Sequence, residues 1–249
     1  MFHVKPHAPL EPVTSQPGTP TDGLEALIAR YGLGAATAAA LATLLTRLGA
    51  DERAPTGIGA EEALDRHIAD SLVGLDLPAL RGAARAADLG SGAGLPGLVL
   101  ASALPDLQMH LVEAQRSKCT YIASLVAAMA LSNSHVVCRR AESWKEGLGA
   151  HDLVVARALG PQPLVLEYAA PLLELGGHLA EWRGARDRDE EARAAVAASE
   201  LGLRPVEVRP VTPFAGARSR HLHVFEKVAE TPARFPRREG VAARRPLGG

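Results

Sequence analysis

The chain has 249 residues, 47% of them hydrophobic, with two cysteines and a formal net charge of −1 at pH 7. That length is enough for one full core plus an appendage. No apolar stretch approaches the length of a membrane span, and no signal-peptide hydrophobic region opens the sequence, so a membrane protein is excluded and a cytosolic one expected. Cys119 and Cys138 lie in patterned segments without metal-ligand spacing; they read as two reduced, half-buried thiols, and no metal is expected. The small net charge hides an asymmetry. From Arg204 to Gly249 ten Arg or Lys stand against four Glu, a local net of +6, which leaves −7 for the remainder. Only four of the 27 basic residues are lysines (Lys5, Lys118, Lys145 and Lys227), and arginine is the side chain that forks onto phosphate and stacks on bases. Compositional bias would produce the same excess.

In chain order, residues 1–20 are proline-rich with no apolar period and read as a disordered leader. Helical patterns follow over Asp22 to Tyr31 and Ala35 to Gly49, the second with Leu41, Leu44, Leu45 and Leu48 on one stripe. A third covers Ala60 to Gly74, with "DRHIADS" on its polar side. Together they make residues 21–80 a helical cap. From Ala83 the period changes. "ARAADLG" reads as a strand, Leu95 to Leu104 as a helix, "LQMHLVEA" as a strand ending at Glu113, and Arg116 to Leu131 as a helix. Then come the strand patterns "HVVCRRAE" and "HDLVVARAL", a helix from Gln162 to Leu175, the strand "GGHLAEW" and a charged helix from Asp187 to Leu201. Two strands, "LRPVEVRPV" and "RHLHVFEKV", close the pattern. Such alternation calls for a mostly parallel sheet with helices on both faces, an α/β domain over residues 81–228, followed by a basic tail over 229–249.

"ADLGSGAGLPG", Ala87 to Gly97, falls between the first strand and its helix, where bare backbone approaches a ligand closely and helix amides are on offer. Dinucleotides need the spacing G-x-G-x-x-G. Here Gly90, Gly92 and Gly94 are spaced G-x-G-x-G, Leu95 stands where the third dinucleotide glycine belongs, and Asp88 precedes the first glycine by two residues. A carboxylate there repels a pyrophosphate but suits S-adenosylmethionine, which carries an amine and a sulfonium. Glu113, ending the second strand, fits the ribose diol of either cofactor and does not discriminate between them. Arg157 ends the strand "DLVVAR", where open α/β sheets place their substrates; the alternative is an arginine capping its strand through an ordinary surface pair. His67 and Asp70, one helical turn apart, read as a surface hydrogen-bonded pair, the commoner fate of such residues.

Several separated segments coincide with one family: "RHIADSL" (Arg66 to Leu72), "DLGSGAGLPG" (Asp88 to Gly97), "LVEAQRSKCTYI" (Leu111 to Ile122), "RRAESW" (Arg139 to Trp144), "ARAL" (Ala156 to Leu159), "SRHLHVFEK" (Ser219 to Lys227) and "FPRREGVAARRPL" (Phe235 to Leu247). In their order and spacing the sequence resembles the bacterial small-subunit rRNA guanine-N7 methyltransferase family, RsmG or GidB, from about Asp22 onward. The resemblance implies a class I S-adenosylmethionine-dependent methyltransferase fold, Rossmann-like, and methyl transfer to N7 of a guanine in the decoding-region loop of 16S rRNA. The implied partner is that rRNA, within the small ribosomal subunit or its precursor. Cofactor contacts are expected at Asp88, Gly90, Ser91, Gly92, Gly94, Leu95, Glu113, Ala141, Glu142 and Arg157. Arg157 is also the candidate catalytic group, either steadying guanine O6 or shaping the target pocket. RNA contacts are expected at Arg183, Arg218, Arg220, His221, Arg237 and Arg238, and Arg66, His67 and Ser71 are candidates for lining the site. Two departures stand out. Arg183-Gly184 replaces the family's Lys-Gly, and the family's Asn-Leu-Thr segment survives only as "APTGI", Ala54 to Ile58. Two competing functions stay open at this level, a nicotinamide oxidoreductase built on the same loop and a ribosome assembly factor with a relic cofactor site.

Overall fold

A computed structural model describes residues 20–50 and 60–249; the expected leader and "APTGI" lie outside the described residues, except that Pro20 opens the first helix. The N-terminal layer comprises α1 (Pro20–Tyr31) and α2 (Ala35–Ala50). Next comes α3 (Ala60–Ala63), which continues as a π-helical turn (Leu64–Ala69), one further α turn (Asp70–Leu72) and a 3-10 turn (Val73–Asp76). A π turn is the kind of local widening that accompanies functional positions, and it carries Arg66 and His67. After it come β1 (Arg85–Leu89), α4 (Gly97–Ala103), β2 (Gln108–Glu113), α5 (Arg116–Ala128), β3 (Ser134–Cys138) and β4 (His151–Arg157). The chain continues through α6 (Gln162–Ala169), β5 (Leu173–Arg183), α7 (Arg188–Leu201), β6 (Leu203–Val211) and β7 (Arg220–Lys227).

The seven strands form one sheet in the order β3-β2-β1-β4-β5-β7-β6. β1 to β5 run parallel, and β7 lies antiparallel between β5 and β6. The order reverses between β1 and β4, so the loops leaving these two strands open a crevice at the carboxyl edge of the sheet. α7 shows how sequence sets an element. The Asp187 carboxylate accepts from the N–H groups of Asp189 and Glu190 at the first turn, and Gly202, in the left-handed region at φ 79°, ends the last. The edge strand β6 carries Pro205 and Pro210, which lack donors and so blunt the edge against further pairing.

Apolar residues sit on both faces of the sheet. On one, Ala86, Met109, Leu111, Leu153 and Val155 pack with α4, α5 and the N-terminal helices; on the other, Ala87, Leu89, Val112, Val154 and Ala156 pack with α6 and α7. Leu41, Leu44 and Leu72 of the N-terminal layer are fully buried in the first of these clusters, each contributing about 2 kcal/mol by burial. The helical cap therefore shares the sheet's own core. The helix expected to run to Leu175 stops at Ala169, passes through a 3-10 turn (Ala170–Leu172), and β5 begins at Leu173. Pro171 lacks the N–H an α-helix requires.

The basic tail is docked onto the second face. Phe235 is buried in its core, and the Arg237 guanidinium grips the buried Glu167 carboxylate of α6 with two hydrogen bonds. Arg237, expected as an RNA contact, is thus committed to an intramolecular pair. Arg238 is exposed.

Candidate active site

β1, β2 and β4 end side by side and deliver the glycine loop, Glu113 and Arg157 to the same crevice. In the loop Gly90, Gly92 and Gly94 have φ of 66°, 59° and 84°, a region that costs an L-residue roughly 1–2 kcal/mol. Glycine is therefore required by backbone conformation as well as by any close ligand approach. The loop is strapped down where the amides of Gly90 and Ser91 both donate to Val112 O, and the Ser91 hydroxyl donates to Asp88 O. Glu113 holds the ligand side, accepting from Gly92 N (3.1 Å) and Gln115 N (2.8 Å).

Asp88 lies fully buried beneath this loop. One oxygen, Oδ2, accepts from Gly97 N at the start of α4 (3.0 Å), while Oδ1 has no partner. Burial pushes its carboxyl up to about 6, against the hydrogen bond from Gly97 N that lowers it. A buried carboxylate oxygen without a donor is the atom that a ligand ammonium or its bridging water would satisfy. With the bare loop and Glu113, it makes the donor set fit a cofactor that combines an amine and a ribose and has no phosphate.

A cavity of about 330 Å³ opens beside the loop, bounded by Gly90, Glu113, Ala141, Glu142, Leu159 and Tyr168. Of the expected cofactor residues, Gly90, Glu113, Ala141 and Glu142 reach it directly. Asp88, Ser91, Gly92, Gly94 and Leu95 do not form its walls; they build the turn behind it. Leu159 and Tyr168, not among the expected cofactor residues, do form its walls. The Tyr168 hydroxyl is pushed up to about 12 by burial and by neighbouring Glu142, so it stays protonated.

A second cavity, of about 200 Å³, is bounded by Asp70, Arg157, Trp182, Arg183, Arg220 and His221. Ala158 lines both cavities. It has φ 55°, an uncommon conformation for alanine of the kind that clusters at functional sites. Arg157 therefore belongs to the second cavity and stands next to the junction. It is no surface capping pair: Nη1 donates to Asp70 Oδ2 (3.0 Å) and to Arg66 O (3.2 Å), with 15% and 8% of the two side chains exposed. The Trp182 indole fixes Asp70 in turn, donating to its carbonyl at 2.7 Å.

The expected His67–Asp70 surface pair is corrected. His67 is buried with neither ring nitrogen partnered, and burial together with Arg157 lowers its pKa to about 4. Asp70 is turned instead to Arg157. Arg66 offers its carbonyl while its side chain reaches Glu62 (3.1 Å) in solvent, and the Ser71 hydroxyl donates to His67 O (2.6 Å). Arg183 is clamped between Glu181 (2.8 Å) and Glu190 (2.7 Å), which fixes the plane of its guanidinium. His221 Nδ1 lies 2.9 Å from Gly184 O, and Arg218 is exposed on the turn before β7.

The cysteine reading is also corrected. Cys119 and Cys138 form a disulfide with Cα atoms 5.7 Å apart. Strand register sets Cys138 beside Glu113 and brings the end of β3 against the first turn of α5, a separation that suits the bond. Among the described residues no group of three or more His, Cys, Asp or Glu is placed to hold a metal ion, and no helix is long and apolar enough to cross a membrane.

A 3-2-1-4-5-7-6 sheet, a glycine turn over a buried acid after β1, an acid ending β2 and a charged cavity beyond β4 define a methyltransferase of the class I fold. An S-adenosylmethionine-dependent methyltransferase from Aquifex aeolicus shares that fold with a TM-score of 0.54 at 16% identity, covering 74% of this chain and 97% of its own. The family model for GidB, rRNA small subunit methyltransferase G, matches residues 53–222, and the chain belongs to this family. Proteins named ribosomal RNA small subunit methyltransferase G are similar to it. The one from Syntrophomonas wolfei is 39% identical over 186 residues, covering 74% of this chain and 86% of that protein. The one from Deinococcus radiodurans is 38% identical over 190 residues, covering 75% of each.

Proposed function

We infer that the protein transfers a methyl group from S-adenosylmethionine to N7 of a guanine in the decoding-region loop of 16S rRNA, in the small ribosomal subunit or its precursor, in the cytoplasm. The observation that carries the reading is the pair of cavities joined at Ala158, one with a glycine turn, Glu113 and the orphaned Asp88 acceptor behind it, the other lined by Arg157, Asp70, Arg183 and Arg220. Family membership supplies the substrate class. When bound, S-adenosylmethionine supplies a methyl group already activated by its sulfonium charge. Glu113 would hold the ribose hydroxyls, Asp88 would face the methionine end directly or through water, and backbone groups of Ala141 and Glu142 would meet the adenine edge. Guanine N7 carries a free lone pair at neutral pH, so it needs no general base to attack in line. The protein's contribution is then positioning and electrostatics. Arg157 donates to guanine O6, and Arg183, Arg218, Arg220, His221 and Arg238 meet RNA phosphates. Chemical cleavage mapping of N7-methylguanine in 16S rRNA, from cells with and without the gene, tests the reading directly; identical cleavage patterns would overturn it.

Two consequences can be measured on purified protein. Arg157→Ala is expected to lower single-turnover methylation by an order of magnitude or more, about 1–3 kcal/mol for one charged positioning contact. Cofactor affinity should change little, because Arg157 lies in the second cavity. Cofactor binding should also depend on pH through Asp88. The ionised carboxylate attracts the ligand ammonium, so affinity is highest above the raised carboxyl value of about 6 and falls as pH drops through it. Titration calorimetry across that range, with Asp88→Asn giving a flat profile, checks the assignment.

A further inference from the structure

Arg157 and Asp70 present more than a positioning contact. Their side chains are mostly buried, joined at 3.0 Å, and face the same cavity. The same Arg157 Nη1 also donates to the Arg66 carbonyl, and the Trp182 indole holds Asp70 by its backbone. A hydrogen-bond donor and an acceptor therefore stand side by side in fixed order, with little freedom to exchange places. A carboxylate offers about four lone-pair directions, and the Arg157 contact uses one of them.

Guanine shows the complementary order along its edge: the O6 acceptor, then the N1–H donor, then the exocyclic amine. Adenine shows the reverse, an amine donor followed by the N1 acceptor, so its amine would face the guanidinium and its lone pair the carboxylate. Guanine N7 flanks O6 on the side away from N1, so a base held by O6 on Arg157 and N1–H on Asp70 keeps N7 free, and Ala158, the residue after Arg157, lines the cofactor cavity as well. We propose that Asp70 is the base-selecting residue, accepting from N1–H and the exocyclic amine of the target guanine while Arg157 donates to O6. The proposal rests on the reading of the protein as a guanine-N7 methyltransferase. It adds a role that Arg157 alone cannot fill, since a lone arginine would accept any base with an acceptor at that edge.

The competing account gives Asp70 only the task of holding Arg157 in place. A cycle between the residue and one substrate atom separates the two. Small subunits assembled on semisynthetic 16S rRNA would carry guanosine or inosine at the methylated position; inosine keeps O6, N1–H and N7 but lacks the exocyclic amine. The wild-type protein is expected to methylate the inosine substrate about tenfold less efficiently in kcat/KM, the discrimination worth of one base-edge hydrogen bond to a charged group. Asp70→Asn keeps the size of the side chain and an oxygen for Arg157. It should lower guanosine methylation strongly, and the guanosine-to-inosine ratio should collapse toward one. Equal losses on both substrates would overturn base selection and leave the positioning account. Should Asp70→Asn fail to fold by its melting curve, the wild-type protein still decides: inosine methylated as efficiently as guanosine removes the amine contact. Absence of N7 methylation on guanosine by the wild-type protein is a separate outcome, overturning the functional reading itself.

Discussion

Gly90→Val is expected to abolish cofactor binding while the protein still folds. Gly90 has φ 66°, and a Cβ built there falls 2.5 Å from Leu159 Cδ1. Both residues form walls of the larger cavity, so relief of the clash drives Leu159 into the space the ligand needs. A loss of about 3 kcal/mol in binding, roughly 100-fold in Kd, is the least expected from filling that space. Gly92→Ala is the informative control. Its φ is 59°, but its Cβ would meet only Gly90 O at 3.7 Å. It suffers strain without a collision, about 1–2 kcal/mol, and binding should weaken only modestly. Calorimetric titration of both variants with S-adenosylmethionine, next to their melting curves, reads the difference. Equal weakening by the two would mean that backbone strain, and not occupied space, governs the site.

Arg237→Ala is expected to cost about 3–5 kcal/mol of stability, because it leaves the Glu167 carboxylate, with 1% of its side chain exposed, buried without its partner. A drop of roughly 10 °C in Tm follows for a chain of this size. Deleting residues 237–249 should cost at least as much and should also weaken cofactor binding, since the tail braces residues 140–143 beside the larger cavity. Gly240 N donates to Glu142 Oε1 (3.1 Å), and Glu239 takes both the Ser143 hydroxyl and Arg140. A tail that served only to grip RNA would behave differently. Its removal would flatten the salt dependence of RNA binding by about one unit of log-log slope per lost contact and leave Tm and cofactor affinity unchanged. Both Tm and cofactor Kd staying at wild-type values would rule out the bracing role, and the change in salt slope between the full-length and truncated proteins reports what the deleted residues, Arg238 among them, contribute to RNA binding.

The alternation of strands and helices, the glycine turn with its preceding acid, Glu113 at the end of β2 and Arg157 at the end of β4 are all legible in the sequence. Each of these is a local signal, a change of hydrophobic period or a turn that only glycine can make, and local signals survive in a linear string. What the string could not carry was which distant groups meet. The pairs Arg157–Asp70 and Arg237–Glu167 span 87 and 70 residues, and neither spacing has a pattern. The same holds for the Cys119–Cys138 bond, which depends on β3 lying in register beside β2. The sequence reading therefore took Asp70 for a partner of His67, because one helical turn is the only neighbourhood visible without the fold. It also took Arg237 for a free cation, because burial of Glu167 is a property of how α6 packs. Tertiary structure decided both, for a physical reason: a charge that loses its water on burial must find its counter-charge wherever packing places one, however far away along the chain.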